Sequence, residues 1–184
     1  MPRQVHVFDP PERFVAGTVG QPGDRTFYLQ ASGGGRIVSV ALEKLQVQVL
    51  AERLEELLET VRQQTGADVG RETSKLEDTA PLDAPVEEEF RVGTMGLAWE
   101  TDSELLVVEA LAQPEDEAQA EVEPLSETED GPDALRVRIT AGTARAFIAR
   151  ALRVVAAGRP PCPLCSLPLD PEGHVCPRQN GHRR

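Results

Sequence analysis

The chain has 184 residues and a net charge of −12, from 19 basic and 31 acidic side chains. That length fits one ordinary domain with a small appendage, and the acid surplus argues against general nucleic-acid binding, which needs Lys and Arg to meet phosphates. Three cysteines are an odd number, against a closed disulfide framework; without a run of about 18 apolar residues, or an apolar stretch within MPRQVHVFDPPERF, the chain is expected to be soluble and cytoplasmic.

In chain order, Arg13–Val19 alternates and is rich in strand formers, and Pro22-Gly23-Asp24 signals a turn. Thr26–Ala31 predicts a second strand. Ser32-Gly33-Gly34-Gly35 predicts a hairpin turn, and Arg36–Leu42 a third strand. From Glu43 to Arg62, Leu45, Val49, Leu50, Leu54, Leu57, Leu58 and Val61 recur three or four apart, one face of a helix that stops before Gly66. The same order then returns. Phe90–Trp99 predicts a strand, Thr101-Asp102-Ser103 a turn, Glu104–Ala112 a second strand and Ala134–Thr140 a third. Ala141–Ala157 predicts a helix with Ala144, Phe147, Ile148, Ala151, Leu152 and Val155 on one face. Phe14-Val15-Ala16-Gly17-Thr18 also matches Phe90-Arg91-Val92-Gly93-Thr94 locally.

These observations predict an α+β fold built from an internally duplicated βββα unit. The halves, about 1–66 and 90–158, would be related by a pseudo-twofold axis and share a sheet or barrel-like core of six antiparallel strands with two helices. Two acidic insertions interrupt the pattern, at about 67–89 and 113–133. The second holds nine acids and no base. Neither has apolar periodicity, so both are expected to be solvated loops. The sharper reading is that the second folds over the basic C-terminal part, since residues 136–184 hold nine basic and two acidic side chains, or recruits a basic partner.

The tail, residues 159–184, reads RPPCPLCSLPLDPEGHVCPRQNGHRR and holds every cysteine of the chain. Cys162-Pro163-Leu164-Cys165 is a Cys-x-x-Cys knuckle in which two thiolates converge on one ion. His174 and Cys176 follow nine residues later and complete four S/N ligands, as a closed tetrahedral Zn²⁺ site requires. His182 is an alternative to His174, being five residues beyond Cys176. A thioredoxin-like redox pair at Cys162 and Cys165 is the rival reading, but that motif wants a helix start, and here it sits among prolines. Folding of this apolar-poor tail would depend on its metal. A closed site leaves no coordination position for water, so its role is structural.

Outside the tail the catalytic inventory is thin. His6, Asp9, Glu12 and Arg13 stand together in HVFDPPERF, as a general acid–base cluster or as a charged strand start with an Arg–carboxylate pair. Ser32-Gly33-Gly34-Gly35 lacks the Lys of a phosphate loop, and no Gly-x-Ser-x-Gly elbow is present. Arg178, Arg183 and Arg184 form a small cationic patch.

The stretch FDPPERFVAGTVGQPGDRTFYLQA, together with the closing CPLCSLPLDPEGHVCPRQNGHRR, resembles the DUF3090 family of uncharacterised actinobacterial proteins. The resemblance spans nearly the whole chain. It implies a bacterial cytoplasmic protein with a C-terminal zinc-ribbon-like segment and assigns no chemistry. The resulting expectation is a non-enzymatic adaptor, with a structural zinc at Cys162, Cys165, His174 and Cys176 and an unidentified protein partner. The alternative is an enzyme or small-molecule sensor with a site near Asp9, Glu12 and Arg13. Nucleic-acid binding through the basic tail ranks third, and no membrane association is expected.

Overall fold

In the computed structural model, residues 2–66, 77–158, 161–167, 169, 174 and 176–179 are described. Seven strands form one mixed sheet: β1 (Val5–Phe8), β2 (Arg13–Gln21), β3 (Asp24–Gly33), β4 (Arg36–Leu42), β5 (Glu88–Glu100), β6 (Leu105–Ala112) and β7 (Ala134–Thr140). They lie in the order β1-β7-β6-β5-β4-β3-β2. Helices α1 (Lys44–Thr65) and α3 (Ala141–Ala156) follow β4 and β7, and a single turn, α2 (Glu117–Ala120), lies in the second acidic insertion. After β1, the order strand, strand, strand, helix occurs twice, as β2-β3-β4-α1 and as β5-β6-β7-α3 with α2 between β6 and β7. Two meanders, β2-β3-β4 and β5-β6-β7, join through a parallel ladder between β4 and the start of β5.

The expected set of six antiparallel strands is corrected. There are seven, and two of the ladders, β4 with β5 and β1 with β7, are parallel. The missed strand, Val5–Phe8, has four residues, too few for an alternation to register.

β1 and β2 are consecutive in the chain yet occupy opposite edges of the sheet. A flat seven-stranded sheet would set those edges about 29 Å apart. The stretch from Phe8 to Arg13 spans at most about 18 Å. The sheet therefore curls, without closing, and its far side bears on β1: Arg36 at the start of β4 donates to the Val7 carbonyl at 2.9 Å and lies 4.7 Å above the Phe8 ring. Glu12 N–H donates to the Ser32 carbonyl at 2.8 Å.

Strand alternation sorts the side chains by face. Phe27, Leu29 and Ala31 of β3, Val38, Val40 and Leu42 of β4, and Leu135, Val137 and Ile139 of β7 turn toward the helices. They meet Leu50, Leu54 and Leu58 of α1 and Phe147, Ile148 and Ala151 of α3. Phe14 stacks on Phe147 with centroids 4.6 Å apart. Both helices start at caps. Glu43 and Gln46 form a capping box, and the Thr140 hydroxyl accepts from Thr143 N–H at 3.2 Å. Gly66, in the left-handed region at φ 66°, stops α1 as expected. Three residues expected on the apolar helix faces, Leu45, Val49 and Leu152, are instead exposed.

The described parts of the two acidic insertions are mostly exposed, as expected of solvated loops, yet each also rests on the other sheet face. Leu82 of the first lies over Gly17, where an added Cβ would stand 2.6 Å from the leucine side chain. Pro124 of the second lies over Gly96 in the same close manner. Glu109 of β6, fully buried, ties the second insertion down. It accepts from Arg3 at 3.0 Å, from Arg136 Nε at 3.0 Å and from Leu125 N–H. Arg136, in the basic part of the chain, also pairs with Glu127 of the insertion. Among the described residues, no helix is long and apolar enough to cross a membrane.

Replacing Glu109 by Ala removes the carboxylate partner of Arg3 and the acceptor of the Leu125 N–H, and leaves Arg136 with Glu127. Breaking a buried pair from one side costs about 3–5 kcal/mol, so Glu109→Ala is expected to lower unfolding free energy by that amount in a urea titration. A loss under about 1 kcal/mol would show that the pair is worth no more than a surface contact.

Candidate functional site

The two clusters singled out in the sequence meet different fates. Asp9, Glu12 and Arg13 do not converge. Asp9 pairs with Arg138 of β7. Glu12 accepts from Gly34 N–H at 3.4 Å. Arg13 turns to the first insertion, where it binds both Asp78 oxygens, pairs with Asp83 at 3.2 Å and donates to the Ala80 and Pro81 carbonyls. Arg150 of α3, 5% exposed, joins this knot. It donates to the Ala16 carbonyl at 2.7 Å, to the Asp78 and Ala80 carbonyls at 2.7 and 2.6 Å, and to Asp78 Oδ1 at 3.2 Å. Gln30, also buried, exchanges hydrogen bonds with the Asp83 backbone at 3.0 and 2.8 Å.

The electrostatics follow from these contacts. Arg13 above all, with help from Ala80 N–H, holds the Asp78 carboxyl below its ordinary range. Burial works against the Arg150 charge, and Asp78 partly offsets it. A cavity of about 170 Å³ lies here, lined by Glu12, Arg13, Phe14, Asp78, Phe147 and Arg150. Of its charged groups, Arg13, Asp78 and Arg150 are already engaged in fastening the insertion. Sequence reasoning missed Arg150 and Glu109, although both left a signal: an arginine at the centre of an apolar helix face, and a glutamate inside LLVVEALA.

The tail residues, in contrast, come together. The ligand atoms of Cys162, Cys165, His174 and Cys176 all lie within 4.8 Å of one another. Cys162 Sγ is 4.0 Å from Cys176 Sγ, and Cys165 Sγ is 3.4 Å from His174 Nε2. All three cysteines are free, and the 4.0 Å separation is about twice a disulfide bond. Cys162 and Cys176 are buried. The knuckle is a turn and not a helix start. Ser166 N–H donates to the Cys162 carbonyl at 2.9 Å, and Cys162 N–H to the Leu167 carbonyl at 2.8 Å. Ser166 itself takes a left-handed backbone, φ 63°.

Backbone N–H groups of Cys165 and Leu164 favour the Cys162 thiolate and hold that thiol below its ordinary value. Burial pushes Cys165 up. His174 presents Nε2 to the cluster, while its buried Nδ1 has no hydrogen-bond partner among the described residues. This Cys₃His arrangement can hold a metal ion and fits a zinc-ribbon-like motif. The alternative ligand, His182, and the patch residues Arg183 and Arg184 lie outside the described residues.

The sequence matches the family model of proteins of unknown function, DUF3090, over residues 6–176, so the chain belongs to that family. The match takes in both the sheet and the four tail residues. No curated protein and no solved structure matches the chain.

The lowered Asp78 carboxyl carries a pH signature. Its contribution to stability is complete above the unfolded carboxylate value, near pH 4, and is lost as pH falls through the lower folded value. Asp78→Asn is expected to lower the melting temperature at pH 7 and to leave a smaller further drop between pH 5 and pH 3 than the wild type shows. Equal acid-induced drops in the two proteins would place the effect elsewhere.

Proposed function

We propose that this DUF3090 protein is a non-enzymatic adaptor whose C-terminal Cys₃His cluster holds a structural Zn²⁺. The observation that carries the proposal is the convergence of three cysteines and one histidine within 4.8 Å. A tetrahedral ion with zinc–sulfur bonds of about 2.3 Å sets its ligand atoms about 3.5–3.8 Å apart, and the pairs at 4.0 and 3.4 Å lie close to those edges. Three thiolates and an imidazole are donors that favour zinc over the hard, oxygen-seeking cations. With Cys162, Cys165, His174 and Cys176 all bound, no position remains for a reacting water, and the ion's work is to fold and stiffen the tail.

The non-enzymatic part of the reading is supported by the fate of the rival site. Arg13, Asp78 and Arg150 are spent on the first insertion, and Asp9 is paired with Arg138. The adaptor is taken to be bacterial and cytoplasmic, with a protein partner. Its core is read as a duplicated βββα unit with a pseudo-twofold axis. The two parallel ladders support this, since β1 stands beside β7 as the start of β5 stands beside β4.

Two measurements test the proposal. Elemental analysis of protein purified without chelator is expected to give one zinc per chain. Cys162→Ser and Cys176→Ser each lose at least 90% of it, and His182→Ala loses none. Affinity capture from a native lysate is expected to enrich a partner with the wild type, and at least tenfold less of it with a Cys162→Ser/Cys165→Ser protein. Substrate turnover abolished by Asp9→Asn or Arg13→Ala would replace the adaptor reading by an enzymatic one.

A further inference from the structure

An apolar groove of about 410 Å³ runs between α1 and β5, lined by Leu45, Val49, Leu50, Met95 and Leu97. Leu45 is 67% exposed and Val49 39%. The groove has a backbone cause. β5 follows β4 only as far as Arg91 and then leaves it, so from Val92 to Glu100 its ladder is with β6 alone. At this free margin, Gln46 of α1 reaches the Val92 and Gly93 carbonyls at 3.2 and 3.3 Å.

The other half of the fold has the same seam, and there it is covered. Thr143, Ala146, Phe147 and Arg150 hold the third, sixth, seventh and tenth places of α3 and line the cavity beside β2. Gln46, Val49, Leu50 and Arg53 hold those same places in α1 and line the groove beside β5. The α3 seam is crossed by the chain that has left α1. That segment is held by Arg150 on Asp78 and Ala80 and by Arg153 on Glu77, and Leu82 lies on β2. The chain that leaves α3 is the metal-binding tail.

The tail starts in the right place. Gly158 sits beside Lys44, the first residue of α1: a Cβ on it would be 3.4 Å from Lys44 Nζ. Leu164 is six residues further on, a reach of about 20 Å, while the groove begins at Leu45, next to Lys44. The tail also carries unburied apolar surface. Leu164 is 37% exposed and Leu167 49%, although the cysteines on either side of Leu164 point into the cluster. The knuckle turn, closed by Cys162 N–H on the Leu167 carbonyl, fixes these two leucines to one small rigid unit.

We propose that the metal-loaded tail docks on its own core, with Leu164 and Leu167 seated in the α1–β5 groove as a strap over the free margin of β5. This is a second arrangement of the tail, since Leu45 is open to solvent in the structure. Docking rests on the tail holding its metal, so zinc content is measured on every sample. A protein lacking zinc then fails the metal reading, and a zinc-loaded one that does not dock fails this proposal alone.

The test compares zinc-loaded full-length protein with Leu164→Asp/Leu167→Asp and, from the other side, Leu45→Asp, by amide hydrogen exchange. Trp99, the chain's one tryptophan, lies on β5 two residues beyond Leu97 and reports the same seam by fluorescence. The expected result is that both variants keep one zinc and exchange residues 94–98 at least tenfold faster than wild type, with red-shifted Trp99 emission. Unchanged exchange in the zinc-loaded variants overturns the proposal. So does fast exchange in the wild type, which would leave the groove for another protein. Protection that disappears on dilution, together with a dimer in light scattering, would assign the groove to a second copy and overturn it as well.

Discussion

Four residues, Asp9 to Glu12, connect the two outermost strands of a seven-stranded sheet. That short connection governs the rest of the architecture. A sheet held at both margins by so short a link must curl, and a curled sheet has unequal faces. One face wraps two helices in an apolar core. The other is left for whatever the chain can lay across it, and what it lays there is its acidic sequence. Glycines at positions 17 and 96 let Leu82 and Pro124 come close, and arginines supply the attachment.

This explains how a chain of net charge −12 keeps its acidic stretches against the fold. The repulsion is met by a few buried or half-buried guanidinium groups. Arg3 and Arg136 converge on Glu109, and Arg13 and Arg150 on Asp78. Each of Arg13 and Arg150 also binds main-chain carbonyls, so it satisfies backbone as well as charge. A lysine, with a single ammonium, could not span the Ala16 carbonyl and the Asp78–Ala80 segment as Arg150 does.

Much of this was legible in the residues, for physical reasons. β4 and β7 start and end where their runs of strand-forming residues and the following helices place them. The stop at Gly66 is local chemistry. The cysteine–histidine cluster was legible because ligand spacing is a short-range constraint. What could not be read is long-range. β1 is four residues long and is defined only by β7, which lies about 130 positions away in the register Val5 to Ala134. Asp78 looks like any acid in a polar linker until Arg13 and Arg150 are beside it. Leu45 and Val49 fit the helical period, but period alone does not say that β5 has turned away from that side of α1.

The pairing of β1 with β7 has a consequence for biosynthesis. Val5–Phe8 is made before every other strand of the sheet, but its ladder partner, Ala134–Val137, is made some 130 residues later. At about 5–20 residues per second that is roughly 6–25 s of waiting. Over that interval β1 has no strand to join, and Arg3 lacks its carboxylate until Glu109 has been made. The meander of β2, β3 and β4 can form while the chain is still tethered. The strand made earliest therefore waits for a partner that is made latest.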